Sequence, residues 1–445
     1  MSTTQTGVET VKVAKVPRRW TDYVRSLGPG LLVSMAWLGA GDLIDSAVAG
    51  GNYGYTLMWA LALALISRYF FTSAIAKYSL FNSQGNTTVI QGFGKLWRGI
   101  PAIVGSLALL SGFILQSYMV VAVGNALHRI FAGFGGDHWG PFIWTVVTAA
   151  VAWLILSRKS AYRMLEMVGR VTVAVLVLCF FVAAVTANGH PLDVVQGLAF
   201  TKPPDMGLFS AVLVGAAMIG AVGGSAGNLM YTEFIREKGW IGPKFRRMQQ
   251  FDLLAGVLAI IVVNLSIWIV AAEYFHPTGR TISTLDDLSY MMELAVGGIG
   301  PWMLWFGVLF AAFSSYLGYA RGYTDIFISG LRSTWESGPR EHTEGQYDRL
   351  YKVIQFGLML LVPIVFSLPG MPDVVVMTVA GSATAGLMAP IIIIGTLLLL
   401  NNKHLMIRGS VNRRWENAIL FVVGGVGIWA TIGVIRSLPG LIAQL

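Results

Sequence analysis

The sequence predicts an all-α integral membrane protein with about eleven spans, and three observations predict it. First, only 12% of the 445 residues are charged and 55% are hydrophobic, whereas a soluble domain carries about 25% charged residues. Second, apolar runs of about 20 residues, the length that crosses a hydrocarbon core about 30 Å thick, recur along the whole chain. Third, Lys and Arg alternate with those runs in the manner that sets membrane orientation.

The runs fall near 27–48, 54–76, 101–126, 140–157, 169–187, 205–232, 251–272, 300–322, 353–370, 373–397 and 416–435. The third and sixth exceed what a span needs, so tilt or interruption is expected there. The N-terminal tail and every second connection hold 26 of the 31 basic residues; Arg129, Lys202, Arg280 and Arg436 lie on the other side and Arg68 inside the second run. One missed or invented span would scramble that alternation. The expected topology puts the N-terminus in the cytoplasm and the C-terminus outside, in a cell membrane of the inner-membrane type. No cleavable signal peptide is visible, because residues 1–25 are polar and basic without an apolar core.

Other classes fall away. Cys179 is the single cysteine, which excludes an internal disulfide and a multi-thiolate metal cluster. The net charge of +9 follows topology and marks no nucleic-acid patch. A phosphate-binding P-loop, a dinucleotide fingerprint and a His-Glu-x-x-His motif are absent. The six histidines sit in predicted connections or at span edges, and the connection from Tyr323 to Lys352 is too short for a catalytic domain. An enzyme is not expected, nor is a cofactor.

Two runs carry polar residues where glycines crowd. The first reads Trp37-Leu38-Gly39-Ala40-Gly41-Asp42-Leu43-Ile44-Asp45-Ser46, and the sixth Gly220-Ala221-Val222-Gly223-Gly224-Ser225-Ala226-Gly227-Asn228-Leu229. Each glycine costs about 1 kcal/mol relative to alanine in a helix interior. A backbone interrupted in a membrane must be satisfied by protein, water or ligand. Glycines also let helices approach closely, so either cluster alone is ambiguous. Together, Ala40-Gly41-Asp42 and Ala226-Gly227-Asn228 echo one another five spans apart. That spacing predicts two inverted five-helix repeats, 27–187 and 205–397, with an N-terminal tail 1–26 and an added span 416–435. Transporters so built unwind the first helix of each half and hold cargo there.

An intramembrane carboxylate costs about 2.5–3.5 kcal/mol to insert. Asp42 is therefore expected to meet cargo or a coupling ion, with a helix-capping role as the plain alternative. Asp45, three residues on, is a second ligand, a gate, or solvated near the outer surface. Arg68 either pairs with a carboxylate or snorkels toward the cytoplasm, and snorkelling is the expectation. Tyr316 and Tyr319 line a pathway or pack.

Gly28-Pro29-Gly30, then Leu31 to Gly50, then Gly51-Asn52-Tyr53-Gly54-Tyr55-Thr56-Leu57-Met58-Trp59, resemble the opening of natural resistance-associated macrophage protein (Nramp) type divalent-metal transporters. Asn228-Leu229, Ser314-Ser315, Gly318 and Gly322 extend the resemblance over nearly the whole chain. It implies a LeuT-like fold and a cation site at helices one and six. This chain departs from the family's site motifs. The first-helix Asp-Pro-Gly-Asn stands here as Gly39-Ala40-Gly41-Asp42, and the sixth-helix Met-Pro-His-Asn as Ser225-Ala226-Gly227-Asn228. Thr232 replaces a later histidine, and Ser382 takes the place of the tenth-helix glutamine.

Losing the thioether favours Mg²⁺, with Mn²⁺ second, because carboxylate, carbonyl and water suit hard cations. The expected ligand set is Asp42, Asn228, Ser225, Gly39, Gly223, Asp45 and Ser382, with small residues enlarging the cavity. The direction is that of Nramp-related magnesium transporters, although those keep the first-helix aspartate. A small organic solute such as an amino acid, or a transporter-like sensor, stand as alternatives. The third run from Pro101 to Leu127 holds no Asp, Glu or His, so little proton coupling is expected. A monomer surrounded by lipid completes the expectation.

Overall fold

The computed structural model describes residues 14–442 except 18, 85–87, 132–133, 159–160, 188 and 336–343. Among the described residues, ten helical stretches are long and apolar enough to cross a membrane. The first run joins them as two shorter helices, Pro29–Trp37 and Ala40–Tyr53, which brings the spans to eleven. Among the described residues there is no β-strand, only two isolated bridges. The architecture is LeuT-like, with two inverted five-helix repeats and an eleventh helix.

Both broken helices form where the sequence places them. Trp37 ends the first segment, Leu38 and Gly39 leave helical geometry (φ −71°, ψ 59°; φ −93°, ψ −171°), and the helix restarts at Ala40. In the sixth span Ser210 caps Ala211–Met218, its hydroxyl accepting from Leu213 N–H at 3.2 Å. The helix then widens into a π-turn at Ile219–Gly224 and breaks at Ser225 (φ −70°, ψ 154°). It resumes through a 3-10 turn, Ala226–Leu229, into Met230–Glu237. Gly220 is needed here for close approach, since a Cβ on it would lie 2.3 Å from the Ser382 carbonyl oxygen. Backbone of the sixth span thus packs on backbone of the tenth.

The rest of the bundle frames the breaks. The third and eighth spans, Ile100–Ile130 and Gly300–Trp335, lie side by side, and the unbroken second span, Met58–Phe81, packs on the π-turn. Two stretches depart from expectation. Residues from Tyr323 to Trp335 continue the eighth helix rather than forming a connection. A further helix, Leu285–Val296, precedes that span, announced by a capping box in which Thr284 accepts from Asp287 N–H at 3.2 Å.

One buried carboxylate holds the start of the first span. Asp252, on the seventh span (Arg246–Val270), is fully buried. Its Oδ1 accepts from Gly28 N–H at 2.9 Å and its Oδ2 from Gly30 N–H and, at 3.2 Å, from the Tyr231 hydroxyl. A helix starts with unpaired N–H groups and a partial positive charge, so an anion is favoured there. This cap arrives from 222 residues away in sequence. While Tyr231 keeps the Gln249 carbonyl at 3.1 Å, Asp252→Ala orphans two buried donors, the Gly28 and Gly30 N–H groups, at about 1–3 kcal/mol each. It is expected to lower the thermal midpoint of the purified protein clearly, with Asp252→Asn falling between; equal midpoints for all three proteins would show that the clamp carries no stability.

Candidate functional site

Where the two breaks face one another, the second span inserts Arg68. Its side chain is fully buried, as is that of Asp42. Arg68 Nη1 donates to Asp42 Oδ2 at 3.3 Å, Nη2 donates to the Ala221 carbonyl at 2.5 Å, and the guanidinium lies over the Trp37 ring at 4.6 Å from its centroid. Asn264, from the seventh span, donates to the same Asp42 oxygen at 3.3 Å. Arg68 therefore does not snorkel. It ties the carboxylate of the restarting first helix to a carbonyl of the unwound sixth.

Asp42 is not a cap either. Gly39 holds the N-cap position of Ala40–Tyr53, no side chain caps it, and Asp42 sits in the first turn aimed at Arg68. The helix start still favours its negative charge. Asp45 is fully buried one turn on, which removes the reading that it is solvated near the outer surface. The Ser382 hydroxyl is close enough to interact with it, but no hydrogen bond of good geometry reaches either Asp45 oxygen. Ser382 stands 3.3 Å from the Tyr118 hydroxyl, which joins the third and tenth spans at this point.

A small cavity lies among Trp37, Asp42, Tyr118, Met119, Ser225 and Tyr319, of about 10 Å³, room for a single water. The expectation that small residues enlarge it is not met, and the reason is Met119. A Cβ on Gly39 would lie 2.5 Å from Met119 Cε and 2.8 Å from Ser315 Oγ. The space left by Gly39 is filled from the third and eighth spans. The sulfur missing from the sixth helix is likewise present nearby, on Met119.

The expected residues distribute unevenly. Asp42, Asp45, Ser382 and Ser225 come together around Arg68 and Tyr118. Gly39 borders Met119 through its missing side chain, and Gly223 lies in the π-turn. Asn228 is buried in the 3-10 turn beyond the break and is not among the residues lining the cavity. The eighth-span tyrosines divide, Tyr319 lining the cavity while Tyr316 donates to the Leu360 carbonyl at 2.6 Å. Sequence reasoning missed Trp37, Met119 and Asn264. No periodicity flags a polar residue that reaches its partner from another span.

Among the described residues, several buried polar atoms without a protein partner lie here: Trp37 Nε1, both Asp45 oxygens, Arg68 Nε and Asn264 Oδ1. Buried polar groups are normally paired, so such a cluster marks a place for water or a ligand. Among the described residues no three His, Cys, Asp or Glu side chains converge. Any ion held here would draw on carbonyls, hydroxyls and water beside the carboxylates.

Comparison with known proteins places this geometry. A family model described as natural resistance-associated macrophage protein-like matches residues 30–437. The divalent metal cation transporter MntH of Chromohalobacter salexigens is 22% identical over 298 residues, covering 64% of each chain. A second MntH, from Pseudomonas aeruginosa, is 25% identical and covers 65% of this chain and 66% of that one. The matches thus span a little under two thirds of those relatives' length. A solved structure of the manganese transporter of Eremococcus coleocola, in complex with an aromatic bis-isothiourea compound, shares the fold. Its TM-score is 0.71 at 16% identity, covering 98% of this chain and 91% of that one.

The Gly39–Met119 fit yields a paired test. Gly39→Asp alone should clash with Met119 and lose about 1–3 kcal/mol, the usual cost of overpacking. Adding Met119→Ala should recover the thermal midpoint, and titration with Mn²⁺ should then show tighter binding than wild type. A single Gly39→Asp variant as stable as wild type would contradict the packing described.

Proposed function

The chain belongs to the natural resistance-associated macrophage protein-like family, and from that premise we propose that it is a secondary transporter of a hard divalent cation, Mg²⁺ first and Mn²⁺ second. The observation that carries this reading is a charge imbalance. Two buried carboxylates, Asp42 and Asp45, stand one turn apart at the helix breaks, and one guanidinium answers them. An unanswered carboxylate in a membrane interior calls for a cation.

The donor chemistry supports a hard cation. Carboxylates, the Ser382 and Ser225 hydroxyls and the carbonyls at the breaks are oxygen donors, which suit Mg²⁺ and Mn²⁺. Mg²⁺ usually keeps several waters and is held by one or two carboxylates, which agrees with a site lacking three convergent acidic ligands. Met119 adds a softer neighbour that favours Mn²⁺. The relatives named above as divalent metal cation transporters point the same way. Cargo enters when the spans around the closed cavity part, as alternating access requires.

The drive is the membrane potential, about 2.3 kcal/mol per unit charge per 100 mV, doubled for a divalent cation. In the third span, Ile100–Ile130, Pro101 to Leu127 hold no acidic or imidazole group and the buried His128 stands in the last turn, so uptake proceeds with little proton movement. The reading places the N-terminus in the cytoplasm and the C-terminus outside, in a cell membrane, with the chain working as a monomer in lipid.

One observation favours a second reading. A guanidinium beside two carboxylates is also the charge pattern that receives a zwitterion, so a small organic solute such as an amino acid is the competing cargo. Uptake into proteoliposomes under an inside-negative potential, with Mg²⁺, Mn²⁺, Ca²⁺ and a panel of amino acids, separates the two. Saturable Mg²⁺ uptake without stoichiometric acidification is expected, reduced at least about tenfold by Asp42→Asn or Asp45→Asn, the loss of about 1.4 kcal/mol or more of cargo binding. Uptake confined to an organic compound would overturn the cation reading.

A further inference from the structure

We propose that Arg68 is a tethered cation that occupies the cargo position whenever cargo is absent, so that cargo binds by displacing it. The proposal deepens the cation reading above and rests on it for the identity of the displacing ion. Its geometric basis is independent of that identity.

A cation held between two broken helices needs a carboxylate from one, a backbone carbonyl from the other and a further neutral donor oxygen or ring face. Arg68 meets that description with its own side chain. Its guanidinium takes Asp42 Oδ2, the Ala221 carbonyl and the face of Trp37. Its backbone belongs to the unbroken helix Met58–Phe81, so the charge can leave by rotation of a long side chain without refolding either break. Among the described residues its Nε finds no hydrogen-bond partner, so the head is held by its outer nitrogens and the Trp37 face. Asn264, on the same Asp42 oxygen, remains to hold the carboxylate when the guanidinium departs.

Two consequences follow. The empty site is electrically answered at Asp42, so the unloaded carrier closes and reorients without adding a second bare carboxylate to Asp45 in low dielectric. Net uptake then needs no obligatory exchange. Cargo must also overcome a resident charge a few ångströms away, which sets a weaker affinity than the oxygen donors alone would give.

Purified full-length wild type, Arg68→Ala, Arg68→Gln and Arg68→Lys decide the matter by two readouts. In thermal denaturation, Arg68→Ala should melt below wild type in tetramethylammonium chloride and be restored by guanidinium chloride and by MgCl₂. At millimolar guanidinium, far below denaturing concentrations, wild type should not respond, and Arg68→Lys, which keeps the charge without the planar fork, should fall between wild type and Arg68→Ala. In proteoliposomes, Arg68→Ala should exchange Mg²⁺ with a half-saturating concentration lower by on the order of a hundredfold, while net uptake into Mg²⁺-free vesicles falls. Arg68→Gln, which removes the charge but keeps a polar side chain with an N–H donor, serves if the alanine variant does not fold. A half-saturation equal to wild type in whichever variant folds, or a folded Arg68→Ala indifferent to guanidinium, would overturn the proposal. Rescue by guanidinium with no response to any divalent cation would keep the tethered charge and remove the cation reading instead.

Discussion

The ion pair between Arg68 and Asp42 is the constraint around which the centre of this protein is arranged. A charge inside a bilayer-spanning bundle persists only when it is paired and its remaining hydrogen-bonding capacity is met. Asp42 meets the condition threefold, through Arg68, through Asn264, and through the start of the helix on which it sits. Arg68 in turn satisfies the Ala221 carbonyl that the widened sixth helix releases. The pair therefore compensates two separate costs, a buried carboxylate and an interrupted backbone. Removing one partner of such a buried pair typically costs about 3–5 kcal/mol, because the other is left uncompensated.

Breaks of this kind hold their shape only inside a rigid surround. The lower end of the first span is fixed by Asp252, whose carboxylate collects Gly28, Gly30 and Tyr231. Its upper end is fixed by Tyr53, whose hydroxyl donates to the Phe209 carbonyl and accepts from Met206 N–H at 3.1 Å. The second span, which delivers Arg68, is tied at its far end by Lys77 to Glu416 and Asn412, at 2.8 and 2.9 Å. Each polar anchor joins elements far apart in sequence, and between them the break at Leu38 and Gly39 is bordered by one further tie, from Asp42 to Arg68 and Asn264.

The sequence carried the fold because hydrophobic length and basic alternation are summed over many residues, and no single misreading disturbs the sum. It also carried both breaks, since Gly39-Ala40-Gly41 and Gly223-Gly224-Ser225 spend helix stability in places where packing alone would use alanine. Arg68 was legible only as a charge out of place. Whether it snorkels or pairs depends on which way one helix face is turned, and that is settled by tertiary packing 26 residues away from Asp42. The helix from Tyr323 to Trp335 was hidden for a related reason. Its polar residues look like a connection, but Tyr323 and Thr324 are fully buried and Asp325 accepts from Tyr351 at 2.8 Å, so the polarity is absorbed inside the protein.

The departures from the family's site motifs then read as one coupled change. Where the resemblance calls for a carboxylate, Gly39 leaves a hole, and Met119 and Ser315 close it from neighbouring spans. A carboxylate appears instead at Asp42, about one helical turn along, where it would be stranded without a partner. Arg68 supplies that partner from the second span and reaches on to the sixth. Any one of the three features alone would be costly: a cavity at residue 39, an unanswered charge at 42, or an unanswered charge at 68. Made together they cancel at the pair and leave Asp45 as the carboxylate with no counter-charge of its own. The demand for positive charge at the first break therefore rests on Asp45, one turn beyond a carboxylate that Arg68 already answers.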